Sequence, residues 1–291
     1  MRLTALPETS WSLNFVVYLS SRLAGHIAGL LFVGAFLLVL SSVATQVLHR
    51  SLEPGGALYG ATEKLTEAFY VNNERNFPTL YSSYLLLLNA HILAAIALLG
   101  RASEARHVWR WALLSVTFLY LCVDEAVSIH EMTIEPLRSL LGAGGVLYFT
   151  WILPAAGLVM VFALLYYGFL LDLPSPVRGL FVAAAVTYLA GAIGMEMVSG
   201  YLWESSGENS PIVVTLVTIE EFLEMCGAIV FAYALLRYLG MNLGKVSFAV
   251  SEPALQKKEK TRKRPDRDRD ASGVGGGTRT PTSAMDTSPS S

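Results

Sequence analysis

Charged residues are scarce in this chain of 291 residues: Asp, Glu, Lys and Arg make up 15%, whereas 53% of the residues are hydrophobic. So little charge with so much apolar sequence excludes an ordinary soluble domain. The net charge of −2 conceals a basic C-terminal tail on an acidic body, so the body offers no surface for nucleic acid. The composition indicates an integral membrane protein whose partner is the lipid bilayer.

Cysteine is nearly absent, since the sequence has only Cys122 and Cys226. Both lie in apolar stretches without metal-ligand spacing, and two thiols do not make a disulfide framework. We expect them to pack as small apolar side chains. The sequence also lacks G-x-S-x-G, P-loop and dinucleotide-binding motifs.

A cleavable signal is not indicated at the N-terminus. The first 21 residues contain Glu8, and their longest apolar run is too short for the core of a signal peptide. Residues 1–22 are therefore predicted to be an interfacial lead-in to the first membrane span.

Six apolar stretches are long enough, or nearly so, to cross the hydrocarbon core, which needs about 20 residues. They are Leu23–Val47, Phe77–Leu99, Trp109–Ile129, Val146–Leu171, Leu180–Leu202 and Ile212–Leu239. The sequence therefore predicts an all-α polytopic membrane protein, a bundle of six helices over residues 23–240. A short surface helix is also predicted around Ala61–Val71.

Lys and Arg in the flanks of the spans predict the orientation, because cytoplasmic loops carry an excess of them. One side has Arg2, Arg22, Arg101, Arg106, Arg110, Arg178, Arg237 and Lys245, and the other has Arg50, Lys64, Arg75 and Arg138. The richer side is taken as cytoplasmic, which places both termini in the cytoplasm and the protein in the inner (plasma) membrane.

The C-terminal residues 241–291 differ from the body in composition. A basic run at 257–264 is followed by alternating charges and then by Gly, Ser, Thr and Pro. Such a segment has too few apolar residues for a core, so a disordered cytoplasmic tail is predicted. Its stretch GGGTRTP at 275–281 resembles the translation of a conserved tRNA-gene arm read on the opposite strand, so we seek no function there.

Nine ionisable side chains lie in or beside the predicted spans, all on the side opposite the cytoplasm. They are Glu74, Asp124, Glu125, His130, Glu131, Glu196, Glu220, Glu221 and Glu224. Charges at membrane depth are costly, so they indicate a functional site by default. Glu220 and Glu224 lie one and two turns inside the sixth span, where a helix merely leaving the membrane needs no acid.

The third span ends in a run of acidic and polar side chains. On a continuous helix, Asp124 and Glu131 point within about 20° of each other, with Ser128 between them. We expect this stripe to face the glutamates of the fifth and sixth spans across one pocket.

Several carboxylates with one imidazole suit Zn, Mn or Fe better than a soft metal. The sequence therefore predicts a divalent-metal site with Asp124, His130, Glu131, Glu196, Glu220 and Glu224 as ligands. Glu125 or Glu221 would be the general base or an outer partner of the ligands. The pattern departs from known signatures, since it has neither Glu-x-x-His pairs nor the three His of a typical catalytic zinc site.

The segments Glu74–Ser83, Asp124–Glu131 and Ile219–Gly227 resemble motifs in uncharacterised multi-pass bacterial membrane proteins. The resemblance spans most of residues 10–240. It implies a bacterial inner membrane and no particular activity.

Three functions remain open at this point. The first is an enzyme that acts on a lipid or small membrane-proximal substrate at the metal site. The second is a proton- or cation-coupled carrier, although the cytoplasmic halves of the spans are nearly free of charge and no inverted repeat is visible. The third is a non-catalytic scaffold, and the sequence indicates no oligomeric state.

Overall fold

The structure is a computed structural model that describes residues 13–17, 20–56, 58–243 and 246–250. Residues Leu13–Val250 form one compact unit, and most of them are helical. Most of the predicted lead-in and the predicted tail beyond Val250 lie outside the described residues.

Nine α-helices lie in the described part of the chain. They are α1 (Ser21–Ser51), α2 (Tyr59–Phe69), α3 (Phe77–Ala102), α4 (Val108–Val127), α5 (Ile134–Leu141), α6 (Ile152–Asp172), α7 (Ser175–Leu189), α8 (Glu196–Ser206) and α9 (Pro211–Leu243). Short 3-10 turns occupy Glu131–Thr133 and Gly145–Leu147, and a π-helical segment at Ala190–Met195 joins α7 to α8. The predicted surface helix is α2.

Two short strands pair next to the helical body. Strand β1 (Leu13–Val17) runs antiparallel to β2 (Val246–Val250), with Leu13 opposite Val250. Helix α9 and β2 both extend past residue 240, so ordered structure continues beyond the predicted end of the helical domain.

The described helices confirm a helical membrane bundle. Four of them are long and apolar enough to cross a bilayer: α1, α3, α6 and the continuous run Ser175–Ser206. A fifth span results if α4 and the segment Glu131–Leu141, which meet at 73°, form one broken span. Helix α9 is not among these, so the count of six and the orientation of the termini stay predictions.

The start of α3 is fixed by local polar contacts. Asn76 accepts a hydrogen bond from the Thr79 amide at 3.1 Å and donates one to the Tyr70 carbonyl at 2.6 Å. Pro78 lies in the first turn, where its missing N–H costs nothing. These contacts fix the residue at which α3 begins, and so the positions of the polar residues in its first turns.

The bundle end that contains the α3–α4 connection has an aromatic core. Trp111 packs edge-on against Phe169 and Phe181, with ring centroids 4.8 and 6.0 Å apart, and Phe231 stacks on Phe118 at 4.8 Å. All but Phe118 are buried to more than nine-tenths. These side chains belong to an apolar cluster that fills this end of the described bundle.

Helix α9 packs against α1, α3, α7 and α8, and glycine brings it very close to α7. A Cβ on Gly227 would lie 2.7 Å from the Tyr188 backbone nitrogen, and one on Gly191 would lie 2.8 Å from the Glu220 carbonyl oxygen. Real Cβ atoms do not approach backbone atoms so closely, so both positions require glycine.

Gly227→Ala is expected to destabilise the protein by about 1–3 kcal/mol, because the added methyl meets backbone that cannot move independently. Thermal unfolding of detergent-purified protein, followed by circular dichroism, measures the loss.

Gly179→Ala is the matched control, since a Cβ there meets nothing within 4 Å. Alanine in a helix is favoured over glycine by about 1 kcal/mol, so this variant should be as stable as wild type or more so. Equal stability of the two variants would contradict the close packing of α7 on α9.

Candidate functional site

Five glutamates from three helices lie close enough to interact electrostatically, and we call them the glutamate cluster. They are Glu125 on α4, Glu196 on α8, and Glu220, Glu221 and Glu224 on α9. Each side chain is partly or fully buried. The structure thus brings together the acids of the predicted third, fifth and sixth spans.

The end of α4 is shaped by Asp124. The chain leaves the helix through Ser128, whose backbone is left-handed with φ 53°, and the Ser128 amide donates to the Asp124 carbonyl. The Asp124 carboxylate then accepts two hydrogen bonds from His130, from the backbone N–H at 2.9 Å and from Nδ1 at 2.8 Å. Asp124 therefore holds the turn and the imidazole together.

This turn corrects the predicted stripe from Asp124 to Glu131. Because the helix ends at Val127, Glu131 opens a 3-10 turn and is exposed. Its carboxyl lies beside that of Glu74, within hydrogen-bonding reach. The seven-residue spacing on which the stripe rested needs a helix that continues past Ser128.

His130 lies in the turn after α4, next to the glutamate cluster. Its ring centroid is 4.8 Å from that of Trp151. Burial alone would lower the pKa of the imidazole, but the hydrogen bond to Asp124 and the charges of Asp124 and Glu131 outweigh it and raise the pKa. Asp124 and Glu131 therefore stabilise the protonated form of the imidazole.

Two further contacts fix carboxylates of the cluster. Trp151 Nε1 donates to Glu196 Oε1 at 2.7 Å, and Glu196 is only 9% exposed. The Ser199 hydroxyl donates to Glu220 Oε2 at 3.2 Å. Within the described ranges, each of these two acids thus has neutral donors and no cationic donor as hydrogen-bond partners.

A small cavity lies at the inner edge of the cluster. Its polar wall is Ser82, Glu125, Tyr188 and Glu224, and its volume of about 10 Å³ is close to what one water molecule needs. The Tyr188 hydroxyl is within hydrogen-bonding reach of Glu224. Ser82 is 7% exposed and its hydroxyl has no hydrogen-bond partner among the described residues.

Cationic side chains do not pair with the cluster anywhere in the described ranges. The ion pairs found there are Arg106–Asp172, His107–Asp172, His130–Asp124 and Arg138–Glu135. Arg138, which pairs with Glu135, also donates to the Tyr148 carbonyl and lies over the Tyr148 ring.

The predicted metal site is not supported by this arrangement. Among the described residues, no three His, Cys, Asp or Glu side chains are placed to hold one ion. The predicted ligands instead face separate partners: Asp124 and His130 face each other, Glu196 faces Trp151 and Glu220 faces Ser199. The catalytic roles of Glu125 and Glu221 stay predictions.

Sequence reasoning missed four residues of the site: Ser82, Trp151, Tyr188 and Ser199. Ser199 could have been found, because it lies three positions after Glu196 and so shares its helix face. Trp151 and Tyr188 carry no such signal, since aromatic residues are common throughout the spans.

Comparison with known proteins gives one family. A family described as "Domain of unknown function (DUF8692)" matches residues 57–239, which is more than half of the chain and includes every residue of the cluster. No curated protein and no solved structure matches.

Asp124→Ala is expected to speed hydrogen exchange at the His130 amide by roughly tenfold to a hundredfold, because a hydrogen bond to a charged acceptor contributes about 1.5–3 kcal/mol. Hydrogen–deuterium exchange with mass spectrometry measures it on peptides that cover residues 128–133.

Glu135→Ala is the control, since it removes a nearby but exposed carboxylate paired with Arg138, and exposed pairs contribute little. If both variants left exchange at His130 unchanged, Asp124 would not be holding the turn.

Proposed function

We propose that this chain, which belongs to the family described as a domain of unknown function (DUF8692), is a membrane protein that transfers protons at a one-sided carboxylate site. The chemistry is acid–base catalysis on a lipid or another membrane-proximal substrate. The observation that carries the proposal is the cavity where Glu125, Glu224, Tyr188 and the Ser82 hydroxyl meet. Among the described residues, that hydroxyl has no hydrogen-bond partner and no cation pairs with the two glutamates.

Protons are the simplest compensation for such a cluster. Neighbouring carboxylates in an apolar setting cannot all stay ionised, so a cation or shared protons must offset their charge. Since no Lys or Arg forms an ion pair with the cluster within the described residues, shared protons remain. A water in the cavity would connect Glu125, Glu224 and the Ser82 hydroxyl into one chain.

The Asp124–His130 pair supplies an oriented imidazole that can donate or accept a proton. Asp124 holds Nδ1, which leaves Nε2 as the atom that donates or accepts a proton. An imidazole oriented in this way is a common general acid–base group. Glu125, one residue from Asp124, joins this pair to the cluster.

Access from one side favours an enzyme over a carrier. Beyond Glu224, the next polar side chain on the α3–α9 contact is Asn89, which is fully buried and donates to the Leu85 and Ala228 carbonyls. Past it lies the aromatic core around Trp111 and Phe231. A carrier needs the acids to be reachable from both faces.

Infrared spectroscopy on protein that contains isotope-labelled glutamate detects protonated carboxyl groups of the cluster directly. Wild-type protein is expected to show a protonated-carboxyl band that Glu224→Gln removes or reduces. Tyr188→Phe should shift this band without removing it, because the phenol is a hydrogen-bond partner and not the acid.

Glu135→Gln, which changes an exposed carboxylate, is the control and should leave the band unchanged. Elemental analysis of the same samples distinguishes a bound metal from shared protons. A stoichiometric divalent metal in wild type that Glu224→Gln loses, with no protonated-carboxyl band, would overturn the proton-sharing proposal.

Proteoliposomes with an imposed pH gradient and an internal pH dye distinguish the enzyme hypothesis from the carrier hypothesis. We expect wild type and Glu224→Gln to leave the gradient equally intact, because the aromatic core blocks a polar path. Dissipation of the gradient by wild type alone would instead favour the carrier.

A further inference from the structure

A second, larger cavity lies beside the glutamate cluster. It is an open groove of about 630 Å³ between α2, the loop before α3, the first turns of α3 and the last turn of α4. Ala126, which lines the groove, follows Glu125 in the chain. No residue of the proposed proton chain lines this groove.

Charge in the groove is unbalanced. Lys64 and Arg75 line it together with one carboxylate, Glu67. Neither cation forms an ion pair within the ranges that the structure describes. The groove therefore presents a net positive charge and two cationic groups for an anion to contact.

A buried hydroxyl also points to a ligand. Ser83 lines the groove, is 8% exposed, and its Oγ has no hydrogen-bond partner in the described part of the chain. A buried polar atom without a partner is costly, and a hydrogen-bonding ligand would satisfy it.

The remaining wall is apolar and exposed. Phe77 is 55% and Leu80 67% exposed, and both lie in the first turns of α3, where a membrane-spanning helix begins. Cations next to exposed apolar side chains match a ligand with an anionic head and a hydrocarbon tail, and the bilayer supplies such molecules.

We propose that this groove binds one anionic phospholipid. Its phosphate contacts Lys64 and Arg75, a headgroup or ester oxygen accepts from Ser83, and an acyl chain lies along Phe77 and Leu80. Ala126 then places the headgroup next to Glu125, which makes this lipid the substrate class of the site. That last step, unlike the binding, rests on the proposed function.

Binding is tested on the full-length protein in a non-ionic detergent, with dissociation constants measured by native mass spectrometry. The probes are phosphatidylglycerol, phosphatidylcholine and soluble glycerol phosphate. We expect phosphatidylglycerol to bind more tightly than the other two. Lys64→Gln with Arg75→Gln should weaken its binding roughly thirtyfold, as the loss of two cations near a lipid phosphate predicts.

Arg22→Gln with Arg101→Gln removes the same charge at the opposite end of the bundle and should bind like wild type. Ala126→Phe fills the groove from an exposed position without changing charge, and it should also weaken binding. The proposed site would be wrong if the two double variants weakened phosphatidylglycerol binding equally, or if Ala126→Phe bound this lipid normally.

Glycerol phosphate binding as tightly as the phospholipid would also overturn the proposal, because the site would then hold a free phosphate ester. Glu224→Gln should bind phosphatidylglycerol normally. Failure of the proton chemistry therefore appears in the infrared spectra, and failure of the lipid site appears only in these dissociation constants.

Discussion

The close contact of α9 with α7 and the π segment is the constraint on which the site depends. Gly191 and Gly227 let the two backbones approach until Tyr188 lies beside Glu224. A larger side chain at either glycine would separate the helices and remove the phenol from the acids. The π segment has one extra residue per turn, which rotates α8 about its axis relative to α7. This rotation decides on which face of α8 Glu196 and Ser199 lie.

Sequence patterns predict much of this arrangement. The predictions that were wrong failed for physical reasons. The apolar stretch of the predicted sixth span correctly placed Glu220 and Glu224 inside a helix, and Glu196 lies near them. Periodicity failed at Ser128, because a left-handed residue ended the helix and a side-chain hydrogen bond from His130 stabilised the turn. Local propensity does not predict such a turn, since serine rarely adopts this conformation.

The metal site is not supported by the described residues for a related reason. Ligand type and number were counted along the chain, but coordination requires lone pairs to converge on one point. Here Trp151 and Ser199 turn the carboxylates of Glu196 and Glu220 towards themselves. Both donors come from parts of the chain that a count of acids ignores.

If the cluster is reached from one side only, as we propose, the aromatic core around Trp111 has an electrical consequence. A membrane voltage falls across the apolar, water-excluding part of a protein, and a site reached from one side lies near the potential of that side. Moving a proton into the glutamate cluster would then cross only a small part of the field. The protonation of these acids would follow the pH of a single compartment and respond only weakly to changes in membrane potential.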